Sequence, residues 1–291
     1  MKASAGYKVF QTFNYIAMAL MILLCAMPLW HIAMISLSAP GPAAANQVGL
    51  WPVGFMIDNY TYALSQQGIV QPFFTSVTRL VLGVLINMAM VILAAYPLSK
   101  DKKDFPGKTA YSWIFIFVML VSGGIIPNYV LIKTLGLIDS IWALVLPGAV
   151  SVFFMIILLN FFRQLPKELE EAAFIDGASH FHTLVSIYLP LSIPSIATLT
   201  LFSSVRHWNS WFDGLIYMRD PSRYPLTTYM QSLLSQLQRM TSSRDAERLA
   251  FTSRRGLMMA YIIITLLPIM AMYPFLQKYV RSGLVLGSVK G

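Results

Sequence analysis

The sequence predicts an all-α protein that lives inside a lipid bilayer, and three observations carry that prediction. The 291 residues are 57% hydrophobic and 11% charged, against about 25% charged in a soluble domain. The mean hydropathy is +0.64. Apolar residues also gather into six runs, roughly 14–37, 73–97, 110–132, 139–162, 189–212 and 257–280, each near the ~20 residues a helix needs to cross hydrocarbon. Lipid offers no partner to a free backbone N–H or C=O, so each run is expected to be a helix.

The first run follows Lys2 and Lys8 and precedes Ala43, Ala44 and Ala45, an arrangement that mimics a secretory leader. Its apolar core exceeds the ~7–15 residues of a leader, so it is read as a span. Cys25, the only cysteine, lies within it; it is read as packing and carries no information on redox compartment. Residues 38–72 form the first outer loop, with turn signals at Pro40, Gly41, Pro42, Pro52 and Gly54 and aromatics Trp51, Phe55, Tyr60 and Tyr62 suited to a lipid interface. A second outer loop, 213–256, contains an expected helix from Thr227 to Arg239, whose stripe of Tyr229, Leu233, Leu234 and Leu237 is read as packing. The whole of 1–291 is read as one transmembrane domain.

The net charge of +9 would point to nucleic acid in a soluble protein; here its distribution reports orientation instead. Lys2, Lys8, Lys100, Lys102, Lys103, Lys108, Arg163, Lys167, Lys278, Arg281 and Lys290 fall on one side, while residues 38–72 carry no basic residue and the third connection has Lys133 alone. The positive-inside rule then places both termini, and a tail of residues 281–291, in the cytoplasm. Arg219, Arg223, Arg239, Arg244, Arg248, Arg254 and Arg255 count against it, but the first helix usually dominates orientation.

Between the fourth and fifth runs lies a polar segment, 163–188, built like a grip for another protein. Pro166 suits the first turn of a short helix and Gly177 its end. Glu168, Glu170 and Glu171 sit near the N-terminus, where the helix dipole favours anions. Leu169, Ala172, Ala173 and Asp176 share a face left shallow by the two alanines. A second short helix can start from Ser179 and align Phe181, Leu184, Val185 and Tyr188. Two helices bent at a glycine make a rigid knuckle; the competing reading is an amphipathic connection lying on the membrane.

Glu171, Ala172, Ala173, Gly177, Ile187, Leu189 and Pro190 reproduce the spacing of the EAA loop, and the chain resembles the membrane permeases of ATP-binding-cassette (ABC) importers. The resemblance implies the type I permease fold with six transmembrane helices, and a loop that docks on an ATPase subunit through Glu168, Glu170, Glu171, Ala172, Ala173, Asp176, Gly177 and Phe181. The segments Leu267-Pro268 through Tyr273, Phe275 to Tyr279, Gly287 to Gly291, Gly49 to Pro52, Asp58 to Tyr60 and the pair Trp208-Asn209 are similar to the sugar-importing branch, in particular its polysaccharide and alginate-oligosaccharide subgroup. Membership implies a homologous second permease, two ATPase subunits holding ATP and Mg, an extracytoplasmic solute-binding protein, and a place in the bacterial inner membrane. No G-x-x-x-x-G-K-[ST] loop occurs here, so the chain itself is expected to bind no cofactor and to be no enzyme. The rivals are an ion-coupled secondary transporter and an ABC permease for a non-sugar solute.

Ionisable groups at membrane depth default to a functional hypothesis. Arg206, His207, Trp208 and Asn209 follow fifteen mostly apolar residues of the fifth run and offer stacking and hydrogen bonds to a sugar, with the arginine suited to a carboxylate. This makes an acidic oligosaccharide the expected substrate. Equally open is a structural role in which Arg206 pairs with Asp213 or contacts the partner permease. Arg79 is expected to snorkel outward, His31 to be interfacial, and His180 and His182 to hydrogen-bond a docked partner. Four scattered histidines and one thiol supply no metal ligand set, and Asp101 and Asp104 read as solvated among lysines rather than catalytic.

Overall fold

A computed structural model describes residues 5–65, 69–239 and 253–288, and among them there is no strand. In chain order the helices are α1 (Ala5–Ser36), α2 (Pro40–Ala44), α3 (Asp58–Ser65), α4 (Val70–Ser99), α5 (Lys108–Leu120), α6 (Ile125–Thr134), α7 (Ile141–Val145) and α8 (Val152–Phe162). They continue with α9 (Lys167–Ile175), α10 (His180–Thr183), α11 (Leu189–Leu191), α12 (Ile193–Asn209), α13 (Phe212–Tyr217), α14 (Leu226–Arg239) and α15 (Arg254–Ser288). Lys2, Arg244, Arg248 and Lys290, part of the charge pattern that predicts orientation, lie outside the described residues.

Three helices, α1, α4 and the Arg254–Met272 part of α15, are long and apolar enough to cross a membrane alone. The other three apolar runs are bent pairs rather than the continuous helices the sequence predicts. The run 110–132 divides into α5 and α6 at 113°. Its break is Ser122-Gly123-Gly124, where Gly124 takes φ +79, a left-handed conformation that glycine adopts at no steric cost. The run 139–162 divides at 47° across residues 149–151, just after a 3₁₀ turn from Leu146 to Gly148 that contains Pro147. Ser151 then restarts the chain as the N-cap of α8. The third bend, 81°, separates the α10–α11 segment from α12 at Ser192, between Pro190 and Pro194. Proline lacks the amide a continuing helix needs, so the corner sits where the sequence supplies two of them.

The chain's contacts fall into two units, residues 1–67 with 230–267, and residues 68–229 with 268–291. In the first unit α1 is apolar on every side and exposed from Gly6 through Trp30, Ala17 excepted. A helix hydrophobic all round is one whose solvent is lipid. Only its end is packed: Met34 and Ile35 join Ala43 and Val48 in a small core, with Met259 against it. Asn59 of α3 donates to the Ser36 carbonyl at 2.8 Å, and the Ser36 hydroxyl meets Tyr60 Oη at 2.7 Å, closing that end. Trp30 donates to the Leu50 carbonyl at 2.8 Å and packs edge-on to Trp51, as expected of interface aromatics.

In the second unit α4 is the central helix. Met88, Val91, Ala95 and Leu98 pack against Val152, Met155, Leu158, Leu159 and Phe162 of α8, with Leu199 of α12 completing the core. Lipid tails are as apolar as leucine, so such helices associate through close packing and interhelical hydrogen bonds rather than by escape from water. Both devices are present. A Cβ on Gly83 would fall 2.5 Å from His207 Cε1, so only glycine lets α4 approach α12 there. Asn87 donates to the Gly148 and Ala149 carbonyls (3.3 and 3.0 Å) and accepts from Ser203 at 3.0 Å. It thereby satisfies backbone groups freed by the break before α8, which hydrocarbon could not.

Candidate functional site

The polar loop between α8 and α12 forms from local signals. Pro166 immediately precedes α9, Gly177 takes φ +81 after it, and Ser179 caps α10 by accepting from the His182 amide. The Gly177 amide donates to the Phe174 carbonyl and the Ala178 amide to Ala173, which satisfies the last carbonyls of α9. From Leu184 to Tyr188 the turn widens into a π-helix before α11.

The candidate coupling residues divide into two faces. Glu168, Leu169, Glu171, Ala172, Phe174 and Asp176 are exposed, with Ile175 86% and Phe181 70% accessible, while Ala173 is half-buried. Glu170 turns the other way. Its Oε1 stands 2.6 Å from Lys100 Nζ, at side-chain exposures of 15% and 7%, and its Oε2 accepts from Tyr188 Oη at 2.6 Å. The Lys100 ammonium lies between two rings, 4.0 Å from the centroid of Tyr96 and 3.9 Å from that of Tyr188. Its contact with Glu170 is ionic rather than a well-aligned hydrogen bond. Burial holds the Lys100 pKa below the ordinary lysine value, with the Glu170 carboxylate opposing the shift.

Further ties surround this buried pair. Lys108 donates to the Lys100 carbonyl and Arg163 to the Leu98 carbonyl at 3.3 Å, so two cations cap the C-terminal end of α4. Lys167 of α9 pairs with Asp101 at 2.5 Å on the open surface. This interaction holds Asp101 below the ordinary carboxylate range, first through the hydrogen bond and then through charge. Asp101 is thus paired with one specific lysine. His180, expected to hydrogen-bond a docked partner, is exposed and lies beside Phe174 (ring centroids 4.9 Å) and 3.5 Å from Tyr96 Oη. His182 meets Ser186 Oγ at 3.4 Å.

At the other end of α4 the second candidate cluster separates. Arg206 and Asn209 are exposed, whereas His207 and Trp208 are buried. His207 faces Gly83, and Trp208 packs edge-on to Phe73. Arg206 Nη2 lies beside Gly148, 3.2 Å from where a Cβ would stand, next to the break in the α7–α8 pair. Arg206 does not take Asp213. That carboxylate pairs with Arg79, which is buried rather than snorkelling outward, and whose Nη1 also donates to the Ser210 carbonyl at 3.0 Å. His31 meets the Gly49 carbonyl at 3.3 Å. No group of three or more His, Cys, Asp or Glu side chains suited to a metal occurs among the described residues.

Residues 3–285 match the family described as the binding-protein-dependent transport system inner membrane component. The chain belongs to this family. It is 35% identical over 289 residues to a polygalacturonan/rhamnogalacturonan transport system permease protein of Bacillus subtilis (strain 168), covering 98% of this chain and 99% of the relative. It is also 36% identical over 284 residues to the protein LplC of the same organism, covering 98% and 96%. Among solved structures it is similar to a chain in the crystal structure of a bacterial ABC transporter involved in import of the acidic polysaccharide alginate. The TM-score is 0.82 and the identity 26%, over 96% of this chain and 99% of that one. This inner-membrane transport permease is thus all-helical along its described length.

Proposed function

We propose that this permease forms half of the translocation pathway of an ATP-driven importer of oligosaccharides, acidic ones in particular. In this reading it pairs with a homologous second permease and sits on two ATPase subunits that hold ATP and Mg. An extracytoplasmic binding protein delivers the sugar. Both termini are cytoplasmic, and the three long helices, the two bent pairs α5–α6 and α7–α8, and α12 make six spans.

The observation that carries the reading is the outward face of the α9–α10 loop. Ile175 and Phe181 stand exposed on a segment otherwise tied down by a buried ion pair and a glycine turn. Large apolar side chains held out on a rigid polar loop are the composition of a docking surface. Glu168 and Glu171, exposed beside them, supply charges for a basic cleft wall. Closure of the ATPase pair on ATP would carry α9 as a rigid body and tilt the helices attached to it. The sugar class rests on the relatives, and acidity on Arg206, an exposed guanidinium beside the helix break at Gly148. Discontinuous helices are where transporters expose backbone polar groups to substrate.

Purification of the tagged permease from its native membrane, with identification of the copurifying chains, tests the assembly. Uptake into vesicles carrying the purified complex then tests the substrate. A second permease and a nucleotide-binding protein, with ATP-dependent uptake of uronate oligosaccharides, are expected. Uptake that persists without ATP under an ion gradient would overturn the mechanism. Arg206→Gln should weaken uptake of uronate oligosaccharides while sparing neutral ones; equal loss on both would remove the charge selectivity.

A further inference from the structure

Glu170 is the one acidic residue of α9 that is not fully exposed. Glu168 and Glu171 are exposed, whereas both carboxylate oxygens of Glu170 are spent inside the chain, on Lys100 at 2.6 Å and on Tyr188 at 2.6 Å. Lys100 follows the last residue of α4, and Tyr188 leads into α11 and α12. A single carboxylate therefore joins three parts of the fold: the short helix α9, the end of central helix α4, and the entry to α12. Tyr188 is held in turn by edge-on contacts with Tyr96 (5.1 Å) and Phe162 (5.3 Å).

The surroundings make this joint mechanically important. A cleft of about 570 Å³ opens there, lined by Lys100, Glu170 and Tyr188 themselves with Lys108, Arg163 and Glu171, so no close-packed apolar seam seals the joint between α9 and the end of α4. The other polar tie, Lys167 to Asp101, is exposed on both sides and is screened by water and salt. The Lys100–Glu170 pair is largely withdrawn from solvent, at side-chain exposures of 7% and 15%. Such a pair adds little net stability, but it accepts few geometries and so can fix one orientation.

We propose that Glu170, with Lys100 and Tyr188, is a positioning latch of the coupling step: it makes α9 move as one body with α4 and α12, so that displacement of α9 by the ATPase becomes helix tilt rather than local flexing. This rests on the docking reading above. Glu170 acts through Lys100 and Tyr188 and touches neither nucleotide nor sugar. Loss of the latch leaves docking and hydrolysis intact and wastes them.

The test uses the reconstituted complex and measures sugar transported per ATP hydrolysed. Glu170→Gln is expected to assemble and hydrolyse ATP, with the transport ratio falling about tenfold, within the range of typical coupling between sites. Tyr188→Phe, which deletes a single hydrogen bond and keeps the ring, should lower the ratio less and carries the test if Glu170→Gln does not assemble. Asp101→Asn should leave the ratio unchanged. The exchanged pair Lys100→Glu with Glu170→Lys should recover part of it. A wild-type ratio in Glu170→Gln, or in Tyr188→Phe where Glu170→Gln does not assemble, overturns the latch. A second readout is independent of transport: spin labels at Leu169→Cys and Lys102→Cys, both exposed, in a Cys25→Ala background, should give a narrow distance distribution that broadens on Glu170→Gln or Tyr188→Phe. If the wild-type complex takes up no sugar with ATP, the proposed function fails, and the distance distribution alone decides the latch; an unchanged width overturns it.

Discussion

Asp213, at the start of α13, receives both terminal nitrogens of Arg79 from α4, a residue 134 positions earlier in the chain. The same carboxylate accepts from Ser210 Oγ at 2.9 Å and from the Gly214 amide at 3.0 Å. Removing the carboxylate would strip the counter-charge from a guanidinium that is 3% exposed and leave it the Ser210 carbonyl. Removing the guanidinium leaves a carboxylate that keeps two donors. Asp213→Leu is therefore expected to cost about 3 kcal/mol or more, and Arg79→Met less. The double variant should recover part of the loss; thermal unfolding in detergent measures all three.

Gly83 and His207 give a second test of packing. Gly83→Ala places a methyl group against the imidazole, an overpacking expected to cost about 1–3 kcal/mol. His207→Ala introduced alongside it should relieve the clash, so the pair is non-additive in the same unfolding measurement. Additive losses would mean that α4 and α12 do not approach at this point.

Gly177 takes φ +81 between α9 and α10. Gly177→Ala forces a β-carbon into the left-handed region at about 1–2 kcal/mol. Gly177→Asn, whose side chain tolerates that region better, should do less harm. The expected signature is loss of uptake in that order, alanine below asparagine.

Ile175 and Phe181 are exposed and serve no core. Ile175→Asp and Phe181→Asp should leave the unfolding midpoint within the scatter of surface substitutions while removing the ATPase subunit from the purified complex. Retention of a full complement of ATPase by both would place docking elsewhere.

The Asp101–Lys167 pair fixes a pH window. Lys167 lowers the Asp101 pKa, so the pair's contribution is present above the ordinary carboxylate value and is lost as pH falls through the lowered one. The difference in unfolding midpoint between wild type and Asp101→Asn should stay level from about pH 5 to pH 8 and shrink only in stronger acid. Both side chains are solvent-exposed, so the difference itself should be small.

What the sequence disclosed and what it withheld divide along physical lines. Apolar runs and the local signals Pro166, Gly177 and Ser179 specify helices and caps, because those depend on neighbours in the chain. The bends at Gly124, after Gly148 and at Ser192 were hidden, since mean hydropathy is blind to direction, although Ser122-Gly123-Gly124 and Pro147-Gly148 were written there. The pairings of Arg79 with Asp213 and Lys100 with Glu170 are made by tertiary packing, and no periodicity encodes them. Arg206 and His207 are adjacent in sequence yet point to different environments, which a list of polar residues at membrane depth cannot separate. The family resemblance rested on the loop spacing and the C-terminal segments, and the full-length match bears it out.

The cations at the end of α4 serve two masters during the life of the chain. Lys108 and Arg163 contribute to the charge bias that would steer insertion, and once folded they cap the carbonyls of Lys100 and Leu98. Neutralising them to invert topology would also fray a helix end, and the two outcomes would be confounded. Lys102 and Lys103, exposed on the same turn, are the charges to move if the question is which way round the protein is threaded.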